Sequence, residues 1–407
     1  MIELTNYASK LSFQDKMDSY YIITYIDIDQ LFDNNFIIEY LKKISNKFYI
    51  LKQDIIRISN KFYLYDLDNF DLSKYYSIQE ANNESFDDYI SEFTNKNNKT
   101  NWNFLFLVDK KMKKTRVYFK IHHGYADGYK IMQILMSELT EETDFTIKFV
   151  RKTNFIDTIY HIIFSTIILF IIYIKFFIQI IINYLKFDIP NDIPNDIPND
   201  NKVNKTDYII FKELNFDKIK IFTLKKGITI NDFLYATMIK TDYLYSEKKR
   251  TLSTISPINI SGNLYTNNMC PIFNVINNNY SNSHLLTQVH QLFNRFKYSL
   301  FVPFFSRIIN YTTPFINIDI LSQICCRIVD NADYTFSNII GPDLRNLKWK
   351  IENIHFLTKT KYNEIMFNII TCKDKVNIII SFKEGVIKNK KRFKECFENA
   401  YNNLLSS

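Results

Sequence analysis

Residues 188–199 are three copies of Asp-Ile-Pro-Asn, and they divide the chain in two. Proline at every fourth position removes backbone donors and clashes with the preceding turn, so this stretch can form neither a helix nor an inner strand. It reads as an extended, solvated linker. Its period is far below the ~20 residues of stacked-repeat architectures, so it marks a boundary rather than a solenoid. The expected partition is 1–150, 151–187, 188–206 and 207–407.

The second of these pieces is physically the most unusual. Phe155 to Lys186 is almost entirely Ile, Phe, Leu and Tyr, without Gly or Pro. The ~20 apolar residues needed to cross a bilayer are available. Its polar residues, however, gather on one stripe at ~100° per residue: Asn154, Asp157, His161, Ser165, Lys175, Gln179, Asn183 and Lys186, interrupted by Ile168 and Ile172. One polar stripe on a greasy helix fits a helix lying in the membrane interface, or one packed stripe-inward on its own protein. Lys175 in mid-segment also disfavours a simple span.

Both flanking pieces alternate strand and helix patterns, which gives an α/β (α+β) fold. In the first, Tyr20–Ile26 is a β-branched and aromatic strand, and Asp29–Asn46 has apolar residues at helical spacing. Phe104–Val108 and Arg116–Ile121 read as strands joined by a basic turn, the second half-buried, and Tyr129–Leu139 as a helix. In the second, Tyr208–Leu214, Thr251–Ile260, Tyr334–Ile339 and Val376–Phe382 read as strands. Helices are expected over Phe216–Lys225, Phe233–Tyr245 and Lys388–Leu405, with Gly227 ending the first and Thr229 capping the next with Asp232 at N3.

The chain is poor in Gly (6) and Pro (8) and rich in Ile, Asn, Lys, Tyr and Phe. Where glycine is this scarce, those that remain are expected to do backbone work. A net charge of +8 suits an anionic membrane surface or a phosphate-bearing ligand, and is too diffuse to argue for nucleic acid. Five cysteines without a Cys-x-x-Cys pair indicate neither a disulfide framework nor a zinc site. No cleavable signal is visible near the N-terminus, so a reducing, cytosol-facing location is expected.

Two of the six histidines and two of the glycines fall within Ile121-His122-His123-Gly124-Tyr125-Ala126-Asp127-Gly128, where a strand gives way to a loop and then a helix. Adjacent residues of a strand point to opposite faces, so one histidine should be buried and the other face a cleft. No nearby His, Asp or Glu completes a metal site, and no Gly-x-Ser-x-Gly elbow is present. A histidine general base acting on a bound nucleophile remains.

His-His-x-x-x-Asp-Gly after a strand resembles the motif of the chloramphenicol-acetyltransferase-like acyltransferases. These include peptide-synthetase condensation domains and the wax ester synthase/diacylglycerol acyltransferase family. Further stretches agree in order. Thr229-Ile-Asn-Asp-Phe-Leu-Tyr-Ala is similar to the family's Asn-Asp helix start, and Ser256-Pro257-Ile258 to its Val-Pro-Val strand. Thr335-Phe-Ser337-Asn338-Ile-Ile-Gly341-Pro342 is similar to its Ser-Asn-x-x-Gly-Pro loop. The resemblance implies two acetyltransferase-like domains with a tunnel between them and a membrane-associated helical insertion. His123 would be the base that deprotonates an alcohol, and the alcohol would attack acyl-coenzyme A to give wax ester or triacylglycerol. His122 and Asp127 would set the loop, and Gly124 and Gly128 would allow close approach to the ligand. Trp102, Asn231, Asp232, Ser337, Asn338, Gly341 and Pro342 would shape the tunnel. Acyl-coenzyme A is the implied co-substrate, with no cofactor or metal, and a lipid alcohol and a membrane surface are the implied partners.

The chain departs from the family pattern at two points. Thr100-Asn101-Trp102 stands where relatives have Pro-Leu-Trp, and Ser261 where many carry Arg. The departures keep a non-catalytic, lipid-binding reading open, as well as a condensation-type transfer to another nucleophile. A tunnel between the halves requires both on one side of the membrane, so the greasy segment is expected to lie in-plane or to re-enter.

Overall fold

The computed structural model describes residues 1–3, 20–59, 61–81, 88–96, 100–139, 163, 166–167, 205–211, 214–259, 269–298, 307, 319, 332–344, 349–359, 365–372 and 375–407. The polar-striped greasy segment (but for isolated residues), the Asp-Ile-Pro-Asn linker and Ser261 lie outside the described residues. Among those described, no helix is long and apolar enough to cross a membrane.

The first half contains β1 (Ile2–Glu3), β2 (Tyr21–Ile28), α1 (Asn34–Lys47), β3 (Gln53–Ile58), β4 (Lys61–Asp66), β5 (Tyr76–Glu80), α2 (Asp88–Asn95), β6 (Trp102–Asp109), β7 (Lys114–His122) and α3 (Gly128–Met136). The second contains β8 (Thr206–Ile210), β9 (Leu214–Asn215), α4 (Phe216–Lys226), α5 (Ile230–Ser246), β10 (Thr251–Asn259), β11 (Met269–Asn277), α6 (Asn282–Tyr298), β12 (Tyr334–Ile340), β13 (Ile351–Lys359), β14 (Ile365–Thr371), β15 (Lys375–Lys383) and α7 (Lys390–Leu405). The expected helix ends hold. Gly227 closes α4 at φ +66°, and Thr229 and Asp232 form a reciprocal capping box at the start of α5.

Two large sheets organise the described residues. One has the order β13-β2-β7-β6-β5, and the other β11-β10-β12-β14-β15-β8 with β9 also on β15. A small sheet, β1-β4-β3, stands apart from both. Strand β13 comes from residues beyond 207 yet pairs antiparallel with β2, with Ile354 opposite Ile26 and Phe356 opposite Thr24. The second half of the chain therefore completes the first sheet, and the two halves interlock.

Each sheet has its own core. Ile26, Leu41, Ile44, Phe104, Phe119, Ile131 and Leu135 fill the first, where α1 and α3 cover one face of the sheet. Phe233, Met238, Leu286, Phe336, Phe367, Phe393 and Phe397 fill the second. A third cluster, including Tyr21, Tyr25, Leu107, Tyr118, Leu357 and Ile379, joins the opposite face of the first sheet to β15.

That third cluster corrects the half-buried reading of Arg116–Ile121. From Thr115 to His122 every residue of β7 is buried, because both faces of the sheet are covered. Its alternating polar residues are paired instead of solvated. Arg116 is bonded by Asp27, with Nη2 2.9 Å from Oδ2, and lies 4.3 Å from the centre of the Tyr25 ring. Lys120 Nζ donates to the carbonyls of Phe93, Thr94 and Lys96 at 3.2, 3.2 and 2.6 Å, at the electronegative C-terminal end of α2. Burial of an unpaired charge would cost several kcal/mol, so these partners are what permit the strand to sit between two layers.

Candidate active site

Strand β7 delivers the two histidines at its end. Antiparallel pairing puts His122 opposite Tyr21, and Trp102 of β6 opposite Ile121. The His122 amide donates to the Asn101 carbonyl at 2.8 Å, and its ring meets Tyr21 edge-on with centroids 5.4 Å apart. The Gly124 amide donates to His122 Nδ1 at 3.2 Å, so the hydrogen of the neutral ring lies on Nε2. His122 is thus a turn-building residue. Burial, with a smaller effect of His123, pushes its pKa down to about 3.

His123 leaves the strand. Its amide donates to the Tyr20 carbonyl at 2.8 Å, and its imidazole stacks on the Tyr20 ring at 4.8 Å and 15°. Only 7% of His123 is exposed, against none of His122, so neither ring stands in an open cleft. Burial lowers the His123 pKa to about 4, opposed by a hydrogen bond to its own backbone. Both rings are neutral at physiological pH, which is the form a base requires.

Asp127 caps α3, its Oδ1 accepting from the Lys130 amide at 2.9 Å. It is buried, and that burial raises its pKa against the pull of the Lys130 amide and charge. A cation opposite it is therefore not needed to explain its position. A Cβ on Gly128, the first residue of α3, would stand 2.2 Å from Ile339 Cδ1 of β12. At Gly128, then, the backbone approaches the other half of the protein closely. The Tyr129 hydroxyl is hydrogen-bonded by the backbone of Ile340. The His-His loop and the Ser-Asn-x-x-Gly-Pro strand, far apart in sequence, are docked on each other here.

Strands β12 and β14 and the start of α5 are bonded to one another. Asn338 donates to Asn231 Oδ1 at 3.2 Å and accepts from Thr371 Oγ1 at 2.9 Å. Ser337 lies on β12 in register with Asn368 of β14, itself bonded to Thr358 and Ser381. Gly341 donates to the Thr371 carbonyl at 2.9 Å, and a Cβ there would meet Ile370 Cγ2 at 2.6 Å and Cys372 Sγ at 2.7 Å. Pro342 is buried beside it.

Two of the expected residues are held by hydrogen bonds within the fold. Asp232 Oδ2 accepts from the Thr229 amide at 2.8 Å and pairs with His290 Nδ1 at 2.7 Å. Trp102 lies in the first core, its indole N–H on the Leu51 carbonyl at 2.9 Å and its ring on Tyr75 at 4.4 Å. Asn101 donates to Asp54 and, at 2.7 Å, to the Tyr125 hydroxyl, which in turn donates to Asp54 at 3.2 Å. Sequence reasoning missed Tyr20 and Asn368. Only strand register places either beside a motif, and no local signal could have found them.

Residues 263–405 match the WS/DGAT C-terminal domain. No curated protein matches the chain. Among solved structures it is similar to the wax ester synthase/diacylglycerol acyltransferase of Marinobacter aquaeolei VT8, at 14% identity and a TM-score of 0.64 over 99% of this chain and 98% of that one. It is similar to the trichothecene 15-O-acetyltransferase of Fusarium sporotrichioides at 11% identity and a TM-score of 0.64, covering 98% and 94% of the two chains. A starter condensation domain of rhizomide synthetase, solved with C8-CoA, matches at 11% identity and a TM-score of 0.59 over 98% and 95%. The chain thus has the mixed α/β fold of these solved structures, and its residues 263–405 resemble the C-terminal domain of the wax ester synthase/diacylglycerol acyltransferases.

Proposed function

We propose that this protein is an acyl-coenzyme A-dependent O-acyltransferase that makes wax ester or triacylglycerol, with His123 as its general base. One observation carries the reading. A neutral, buried imidazole is held by backbone and ring stacking at the point where the His-His loop docks on the Ser-Asn-x-x-Gly-Pro strand. The WS/DGAT domain match and the fold of the Marinobacter enzyme support the reaction class. The C8-CoA complex of the condensation domain supports coenzyme A thioesters as donors.

The chemistry follows from the ring's state. A neutral imidazole carries its hydrogen on one ring nitrogen and leaves the other as an acceptor. As the alcohol oxygen attacks the thioester carbon, its proton passes to that unprotonated nitrogen. Collapse of the tetrahedral intermediate breaks the C–S bond, and the imidazolium returns the proton to the leaving thiolate. Products are an ester and free coenzyme A, with no change in redox state. A dry site favours this, because water would compete with the alcohol as nucleophile.

In this reading Asn231, Asn338 and Thr371 line the tunnel wall opposite the base. Asp127 and Gly128 fix the loop, and Trp102 supports it from the core. Asp232 acts at one remove, through the start of α5. The acceptor is a long-chain alcohol or diacylglycerol, taken from the membrane surface by a protein that faces the cytosol. The purified full chain, given radiolabelled acyl-coenzyme A with hexadecanol or diacylglycerol, should release ester and coenzyme A. His123→Ala should lose ~10²–10⁴ of the rate. No ester with any alcohol, or undiminished turnover in that variant, would refute the assignment.

A further inference from the structure

Helix α4 has two apolar faces. Phe216, Ile219 and Phe222 are buried against the second core, while Ile221 and Leu224 on the opposite side are 68% and 72% exposed. Such exposure of two large aliphatics one turn apart is not needed for folding, since the inward face already holds the helix. The outward arc is also charged in a particular way. At ~100° per residue, Ile221 and Leu224 stand in its middle, with Lys220 on one shoulder and Lys218 and Lys225 on the other. Lys226 follows, donating to the carbonyl of Ser407 at 2.6 Å. The acidic residue of the helix, Asp217, is exposed on the same arc one turn before Ile221, in the first turn where the helix dipole favours it, so the three lysines leave the arc with a net positive charge.

We infer that α4 is a docking surface for an anionic phospholipid bilayer. Ile221 and Leu224 enter the acyl boundary, while Lys218, Lys220 and Lys225 lay their methylene stems alongside and place their ammonium groups at the phosphates. The charge complementarity selects this occupant. A second protein surface would have to bury three lysines around a small apolar centre, whereas a headgroup layer accepts that arrangement without desolvating them. The inference concerns a helix outside the candidate site and does not rest on the acyltransferase assignment.

The test uses the full chain with Leu224→Trp, read against the unsubstituted chain for the contribution of Trp102 and Trp349. With phosphatidylserine-containing vesicles the added tryptophan should shift its emission to the blue and be quenched by brominated lipid. Each of Lys218→Glu, Lys220→Glu and Lys225→Glu should weaken vesicle binding by roughly fivefold or more, and high salt should do the same. Protein that binds vesicles while the added tryptophan stays in a water-like environment would overturn the proposal, as would failure to bind them. A blue shift without vesicles that grows with protein concentration would point to a second copy of the chain and would also overturn it.

Discussion

The contact between Gly128 and Ile339 offers a direct test of how the two motifs are held together. A methyl group on Gly128 would lie 2.2 Å from Ile339 Cδ1 and 3.2 Å from Cγ1. Carbon atoms at rest stand ~3.5 Å or more apart, so Gly128→Ala falls short by about 1.3 Å. Ile339 is buried, so its terminal methyl can move only by displacing its neighbours or by pushing α3 away. Overpacking of this kind costs ~1–3 kcal/mol, offset by at most ~1 kcal/mol from replacing glycine in a helix. Ile339→Val deletes Cδ1, the atom in conflict, and alone should cost ~0.5–1.5 kcal/mol. In the double variant only the 3.2 Å approach remains, so the alanine should cost little further, and the cycle should show ~1–2 kcal/mol of favourable coupling. Urea unfolding of the four proteins measures it, with turnover as the parallel reading of loop position. Strict additivity would mean that α3 and β12 do not meet here, and the assembly of the site from the two motifs would then be wrong.

Tyr20→Leu removes the ring stacked on His123 and should lower kcat by roughly threefold to tenfold with KM unchanged, whereas Tyr20→Phe should keep both. Equal losses in the two variants would refute a positioning role for the ring. Asp127→Ala removes the α3 cap and should cost about 1 kcal/mol in urea unfolding, while Asp127→Asn should retain most of it. An asparagine keeps the Oδ1 acceptor for the Lys130 amide, so an asparagine variant as weak as the alanine would contradict the cap. Acid should destabilise the fold through His122, His123 and His355, whose folded pKa values lie at about 3, 4 and 3 against an ordinary 6.5. The unfolded chain then binds more protons, so this stability is fully present above pH 6.5 and is lost as pH falls through the folded values. Each histidine contributes a slope of up to ~1.4 kcal/mol per pH unit, and unfolding midpoints that stay flat between pH 7 and 5 would refute their burial as neutral groups.

Much of this protein was legible from local chemistry. The strand into His122, the helix capped by Asp127 and the capping box of Thr229 and Asp232 are short-range patterns, set by periodicity and by which side chains can satisfy a helix end. Motif order likewise pointed to the acyltransferase fold before any contact was known. Long-range pairing was another matter. Nothing local told that residues 351–359 would complete the first sheet, or that covering both its faces would bury Arg116 and Lys120 with Asp27 and the end of α2. The same polar alternation that reads as a solvated face becomes an ion-paired interface once a second layer arrives. Gly128 shows the distinction at one atom. Its sequence context marked it as a backbone residue, but only the packing of α3 on Ile339 decided that the space a side chain would need belongs to the other half of the chain.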